Sequence, residues 1–193
     1  MRGIFVTGTD TGVGKTVVSA ALALKRAAGY WKPIQTGPDD DSGVVARLTG
    51  CTVWDRGIRL ADPVSPHLAA QRAGIRIDLD EVGAMAPPDG EWIVEGAGGV
   101  LVPMNESEAM LDLMDLLCLP VVVVARTTLG TINHTRLTLG AIRSRGLAIE
   151  CVVMVGDANA DNRAAIEHYG DVSVVELPWL KPLTADALRG CAL

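Results

Sequence analysis

The chain of 193 residues carries 17 Lys and Arg against 23 Asp and Glu, a formal net charge of −6, and is 49% hydrophobic. That length suits one compact domain over residues 1–193, and an acidic balance without a basic stripe argues against a nucleic-acid surface. Cys51, Cys118, Cys151 and Cys191 form no C-x-x-C pair, which excludes the usual zinc and thioredoxin motifs, and the longest apolar run, 116–125, is broken by Pro120 and too short to cross a bilayer. The expectation is a cytoplasmic, soluble chain with reduced thiols and no membrane partner.

In chain order, Ile4-Phe5-Val6 predicts a short strand, followed by a glycine-rich turn and a helix from Val17 to Ala28, rich in Ala, Leu and Lys. Residues 37–42, 62–66 and 86–90 read as polar or proline-punctuated loops. Strands are predicted at Trp92–Val94, Val121–Ala125, Cys151–Val155 and Val172–Leu177, with helices at Ala109–Leu117, Ile132–Arg145 and Asn159–His168 between them. Runs apolar on both faces, alternating with helices, predict an α/β fold: a mostly parallel sheet flanked by helices on both faces, with ligand chemistry beyond the carboxyl ends of the strands.

The turn Gly8-Thr9-Asp10-Thr11-Gly12-Val13-Gly14-Lys15-Thr16 carries the strongest chemical signal. Backbone N–H groups in such a turn face phosphate oxygens, the following helix adds its positive end, Lys15 neutralises β/γ charge and the Thr16 hydroxyl can ligate Mg²⁺. Gly12, Val13, Gly14, Lys15, Thr16 and Val17 are therefore taken as nucleotide-binding. A Gly-Lys-Thr triplet also occurs by chance in loops, but the order strand, glycine turn, helix favours the phosphate reading. Five residues, Thr9 to Val13, separate Gly8 from Gly14, one more than in the usual phosphate loop.

Three further segments fall on predicted loops: Lys32-Pro33-Ile34-Gln35-Thr36-Gly37, Asp39-Asp40-Asp41, and Glu95-Gly96-Ala97-Gly98-Gly99 after the Trp92–Val94 strand. Each alone reads as a solvated turn. Mg²⁺ bridging phosphates keeps several waters and takes one or two carboxylates, which makes Asp41 and Glu95 the natural companions of Thr16. Gly96, Ala97 and Gly98 would let the backbone approach a ligand closely.

These segments, together with Leu129-Gly130-Thr131-Ile132-Asn133-His134 and Leu177-Pro178-Trp179-Leu180, are spread in family order over almost the whole chain and resemble the dethiobiotin synthetases, including the longer phosphate loop. The resemblance implies a P-loop NTPase-like fold and a reaction with ATP and Mg²⁺. An amine of 7,8-diaminopelargonic acid takes up CO₂ as a carbamate, ATP converts this to a carbamic-phosphoric anhydride, and the second amine closes the ureido ring of dethiobiotin. It further implies Lys32, Lys15 and Thr11 as catalytic, Thr36 as a substrate contact, and Thr16, Asp41 and Glu95 as the metal set, Asp41 being preferred over Asp39 and Asp40. Thr131, Ile132 and Asn133 would hold the substrate carboxylate at a helix N-terminus across a homodimer interface; the alternative is that Asn133 only caps its helix. Pro178, Trp179 and Leu180 would line the base pocket, with simple packing of Trp179 as the alternative.

The sequence departs from the family twice. Only Gly29-Tyr30-Trp31 separate the helix ending near Ala28 from Lys32, so either the helix stops early or the second strand is clipped. Gly156 stands where many relatives place an Asn against the adenine edge, which predicts tolerance of other bases. The competing function is a partitioning-type P-loop ATPase switch, but such switches carry an additional lysine early in the loop and often a basic or amphipathic surface. Residues 8–13 contain no lysine.

Overall fold

A computed structural model describes residues 1–191 and 193. The elements in chain order are β1 (Arg2–Gly8), α1 (Lys15–Arg26), β2 (Gly29–Trp31), β3 (Ile34–Thr36), α2 (Asp41–Thr49), β4 (Val53–Trp54), β5 (Ile58–Leu60), α3 (Pro66–Arg72) and α4 (Leu79–Ala84). They continue with β6 (Glu91–Gly99), α5 (Met110–Leu117), β7 (Val121–Arg126), α6 (Thr131–Ser144), β8 (Ile149–Val155), α7 (Ala160–Gly170), β9 (Val174–Leu177) and α8 (Ala185–Arg189). Seven strands form a parallel sheet in the order β4-β2-β6-β1-β7-β8-β9, and β3 pairs with β5 in a small parallel sheet of its own.

Alternation along the strands divides the core between the two faces of the sheet. Ile4, Val6, Val122, Val124 and Val153 pack against Val18, Leu22 and Ala23 of α1. Phe5, Val121, Val123 and Ala125 on the opposite face join Leu113, Met114, Leu139 and Ile142 of α5 and α6. All five residues 121–125 of β7 are buried, as expected of a central parallel strand covered on both sides.

The predicted strands and helices are present, with ends displaced by a few residues. Helix α1 starts two residues before Val17 and stops at Arg26, where Ala27 takes a left-handed cap with φ of 49° and bonds back to the Ala23 and Leu24 carbonyls. The early stop and a clipped strand therefore occur together, and β2 has three residues. Gly29 is required there: a Cβ would lie 2.3 Å from the Trp92 ring. The last strand begins at Val174 rather than Val172. Elements β3, β4, β5, α3, α4 and α8 had no periodic signature, being two to seven residues long.

Candidate active site

Neighbouring β1, β6 and β2 deliver three chain segments to one edge of the sheet, beside the N-termini of α1 and α2. The glycine loop leaves β1 and ends at Gly14, the N-cap of α1, with φ of 98°. A Cβ on Gly14 would be both strained and 3.0 Å from Val155 Cγ1, so the loop is seated against the end of β8. Lys15 and Thr16 are the first two helical residues. The Lys15 side chain curls back, its Nζ donating to the Asp10 carbonyl at 2.9 Å. Burial lowers its pKa to about 8, with the Glu95 charge opposing the shift and Lys32 adding to it.

Asp10 was not singled out by the sequence, yet it organises the loop. Its Oδ1 accepts the Thr11 N–H at 2.7 Å and its other oxygen pairs with the Arg126 guanidinium at the end of β7. Arg126 reaches it because β7 lies beside β1 in the sheet.

A second cluster lies beneath. Lys32, immediately after β2, donates to Glu95 Oε1 at 2.8 Å and to Asp41 Oδ2. The Thr16 hydroxyl oxygen lies 3.0 Å from Asp41 Oδ1 and 3.1 Å from Glu95 Oε1, so its single proton can go to either carboxylate. Tyr30 donates from its hydroxyl to Glu95 Oε2 at 3.0 Å, and Arg59 of β5 holds the Lys32 carbonyl at 2.8 Å. Burial alone would lower the Lys32 pKa, but the charges and hydrogen bonds of Glu95 and Asp41 outweigh it and the group is raised. Tyr30 had a signal in the sequence: strand alternation places it two residues from Lys32, on the same face.

Thr16 Oγ1, Asp41 and Glu95 form a hard oxygen set of one hydroxyl and two carboxylates, which suits Mg²⁺ completed by phosphate and water. Among the described residues no three His, Cys, Asp or Glu side chains group as a metal cage. Asp40 is occupied elsewhere, accepting the Gly43 N–H at 2.8 Å as the N-cap of α2, whereas Asp39 lines the cleft without joining the cluster.

A cleft of about 400 Å³ is lined by Thr11, Gly12, Gly14, Lys15, Thr16, Val17, Lys32, Thr36, Asp41, Glu95, Ala97 and Gly98. Val13 and Gly96 are not in its wall. Val13 is buried in the core on the α1 side, and a Cβ on Gly96 would meet the Phe5 ring at 3.0 Å, so that glycine serves packing inside the sheet. A second cleft, about 500 Å³, shares Thr11 and is lined by Thr9, residues 99–103, His134, Leu137 and Thr138.

Thr131, Ile132 and Asn133 lie outside both clefts. Thr131 is buried and donates to the Arg126 carbonyl at 2.6 Å, Ile132 packs on the core, and Asn133 is exposed. Asn133 is not the cap of α6; that position is Gly130, with no side-chain bond. Gly156 directly follows β8 and donates its N–H to the Leu177 carbonyl at 3.0 Å, which brings it beside Pro178. Trp179 is 56% exposed, which removes simple packing as its explanation, while Leu180 packs against the core cluster on the α1 side of the sheet.

A left-handed glycine loop, with Lys and Thr opening the helix that follows it, at the carboxyl edge of a parallel sheet, defines a P-loop nucleotide-binding protein. A family model described as an AAA domain matches residues 2–187. The ATP-dependent dethiobiotin synthetase BioD of Paramagnetospirillum magneticum is 51% identical, with 98% of this chain and 94% of that protein covered. Its counterpart of the same name in Sphingopyxis alaskensis is 46% identical over 97% of this chain and 93% of its own length. The chain belongs to the dethiobiotin synthetase family.

Among solved structures, a ParA family ATPase from Chlorobium tepidum aligns with a TM-score of 0.61 at 11% identity, over 97% of this chain and 88% of that one. The cell division ATPase MinD of Pyrococcus furiosus gives 0.61 at 17%, over 97% and 89%. At such identities they establish the fold alone. The full-length relatives favour the synthetase over the partitioning switch.

Proposed function

We propose that the chain, acting as one domain, is an ATP-dependent dethiobiotin synthetase that closes the ureido ring from 7,8-diaminopelargonic acid and CO₂. The observation that carries the reading is the convergence of Lys15, Lys32, Thr16, Asp41 and Glu95 on one cleft at the end of the glycine loop. A carbamate oxygen attacking a γ-phosphoryl group brings anion to anion, so positioning and positive charge must supply most of the catalysis. Lys15 and the loop amides hold the phosphates, and Lys32 faces the carbamate and the transferred group. Thr16, Asp41 and Glu95 would hold Mg²⁺, which when bound offsets charge on the phosphates. Thr11, shared by the two clefts, and Thr36 lie where a hydroxyl can orient the carbamate beside the nucleotide. Incubation with diaminopelargonate, bicarbonate, Mg²⁺ and ATP should release ADP and dethiobiotin together, detected by mass spectrometry. Substrate-independent turnover, stimulated only by DNA or lipid, would instead identify a switch.

The second cleft, beside Leu101 and Leu137, suits the apolar chain of the substrate. Leu101, Leu129 and Leu137 are 68%, 98% and 66% exposed, an apolar set that a second copy of the chain would cover, with Thr131, Ile132 and Asn133 near the substrate carboxylate. Leu137→Asp is expected to convert a dimer to a 20.3 kDa monomer in sedimentation velocity and to raise KM for diaminopelargonate. A wild-type protein that already sediments as a monomer would remove this interface.

Pro178, Trp179 and Leu180 would flank the nucleotide base, with Trp179 available for stacking. At Gly156, φ is 140° and a Cβ would lie 2.6 Å from Thr127 Oγ1, so no side-chain amide reads the base from this position. We expect kcat/KM for CTP or GTP within about tenfold of ATP, a gap of roughly 1.4 kcal/mol. A thousandfold preference for ATP would contradict it.

A further inference from the structure

We infer that Tyr30 is a positioning residue for the metal site, holding the far oxygen of Glu95 so that the near one stays aimed at the Mg²⁺ position when Lys32 gives way. The inference rests on Thr16, Asp41 and Glu95 being the metal set. Glu95 is buried, and its two oxygens have different partners: Oε1 takes Lys32 and Thr16, and among the described residues Oε2 takes the Tyr30 hydroxyl alone. A cation arriving at Oε1 competes directly with the Lys32 ammonium. Without a second anchor, the carboxylate is free to turn with the departing lysine.

Tyr30 is placed to prevent this turning. Its ring is fully buried and clusters with Ala20 and Ala21 of α1 and Val45 of α2, while its hydroxyl reaches β6. It thus ties together the three elements that carry Thr16, Asp41 and Glu95. Partners that orient a metal-binding carboxylate in this way are typically worth about tenfold or more in metal affinity.

The test measures ADP affinity by calorimetry with Mg²⁺ and with EDTA, in the wild type and in Tyr30→Phe. The ratio of the two affinities reports metal coupling without turnover. Tyr30→Phe is expected to lower that ratio about tenfold while leaving metal-free ADP affinity within about twofold, because Tyr30 does not line the cleft. An unchanged ratio in a folded variant overturns the inference. A wild type with no Mg²⁺ dependence overturns the metal set itself and this inference with it. Should Tyr30→Phe not fold, tyrosine labelled with ¹³C at Cζ gives a second measurement, since the chain has only two tyrosines. Mg²⁺ added to the ADP complex should move the Tyr30 signal and not that of the exposed Tyr169; a stationary Tyr30 signal overturns the inference.

Discussion

Lys32→Met should lose both turnover and stability. The variant keeps most of the buried stem but leaves Asp41 and Glu95 facing the same space without their ammonium. Breaking a buried ion pair from one side costs about 3 kcal/mol, which in a domain of this size corresponds to a fall in Tm of roughly 10 °C. With Lys32 in the proposed role, loss of its charge should lower kcat by about 10³. The Lys32 pKa is raised in the folded chain, so its stabilisation is complete below its unfolded value, about 10.4, and is lost only as pH rises past the folded one. The stability deficit should therefore be flat between about pH 6 and 9. Because Mg²⁺ brings positive charge to the same carboxylates, it should restore more Tm to the variant than to the wild type. A Tm within 2 °C of wild type, on the scale of roughly 3 °C per kcal/mol, would show that the three charges are not coupled as described.

Lys15→Ala should behave differently. Here burial dominates, the pKa is lowered to about 8, and the folded state disfavours the ammonium. A lysine depressed in this way makes the wild type gain stability as pH rises from about 8 towards its unfolded value, and its removal relieves that penalty at neutral pH. The bond to the Asp10 carbonyl and the attraction of Glu95 are lost, but burial outweighs them. Turnover should fall by at least about 10³ in kcat/KM, with Tm unchanged or higher. Two lysines lining one cleft would thus separate, one needed for chemistry alone and the other for chemistry and folding. Wild-type turnover in Lys15→Ala would remove the phosphate-loop assignment, and a Tm loss equal to that of Lys32→Met would refute the electrostatic contrast.

The parts legible in the sequence were those with local physics. Gly14 and Lys15 announce themselves because a left-handed turn feeding a helix needs neighbouring residues only, and Val121–Ala125 because five consecutive apolar residues suit a strand covered on both faces. Asp41 and Glu95 were reached from the carboxylates that Mg²⁺ takes beside a phosphate loop, but Lys32 and the choice of Asp41 over its neighbours came through family resemblance, since nothing local couples a lysine to a glutamate 63 positions away; strand order does. Asp10 with Arg126, 116 residues apart, was missed for the same reason. Gly96 has a second reason to be glycine that was not legible locally, since the side where a Cβ would stand is filled by Phe5 and Met110. The small β3–β5 sheet escaped because three-residue strands carry too little alternation to register.

The two outer strands of the main sheet are short, β4 with two residues and β9 with four. A border so brief offers a neighbouring molecule few free backbone groups, and Arg56, stacked over the Trp54 ring 5.9 Å from its centre, sits at the shorter one. Edge-to-edge growth into a continuous ribbon is thereby discouraged. Under the proposed pairing, contact between copies falls to helical and loop surfaces, where a two-fold interface closes instead of propagating.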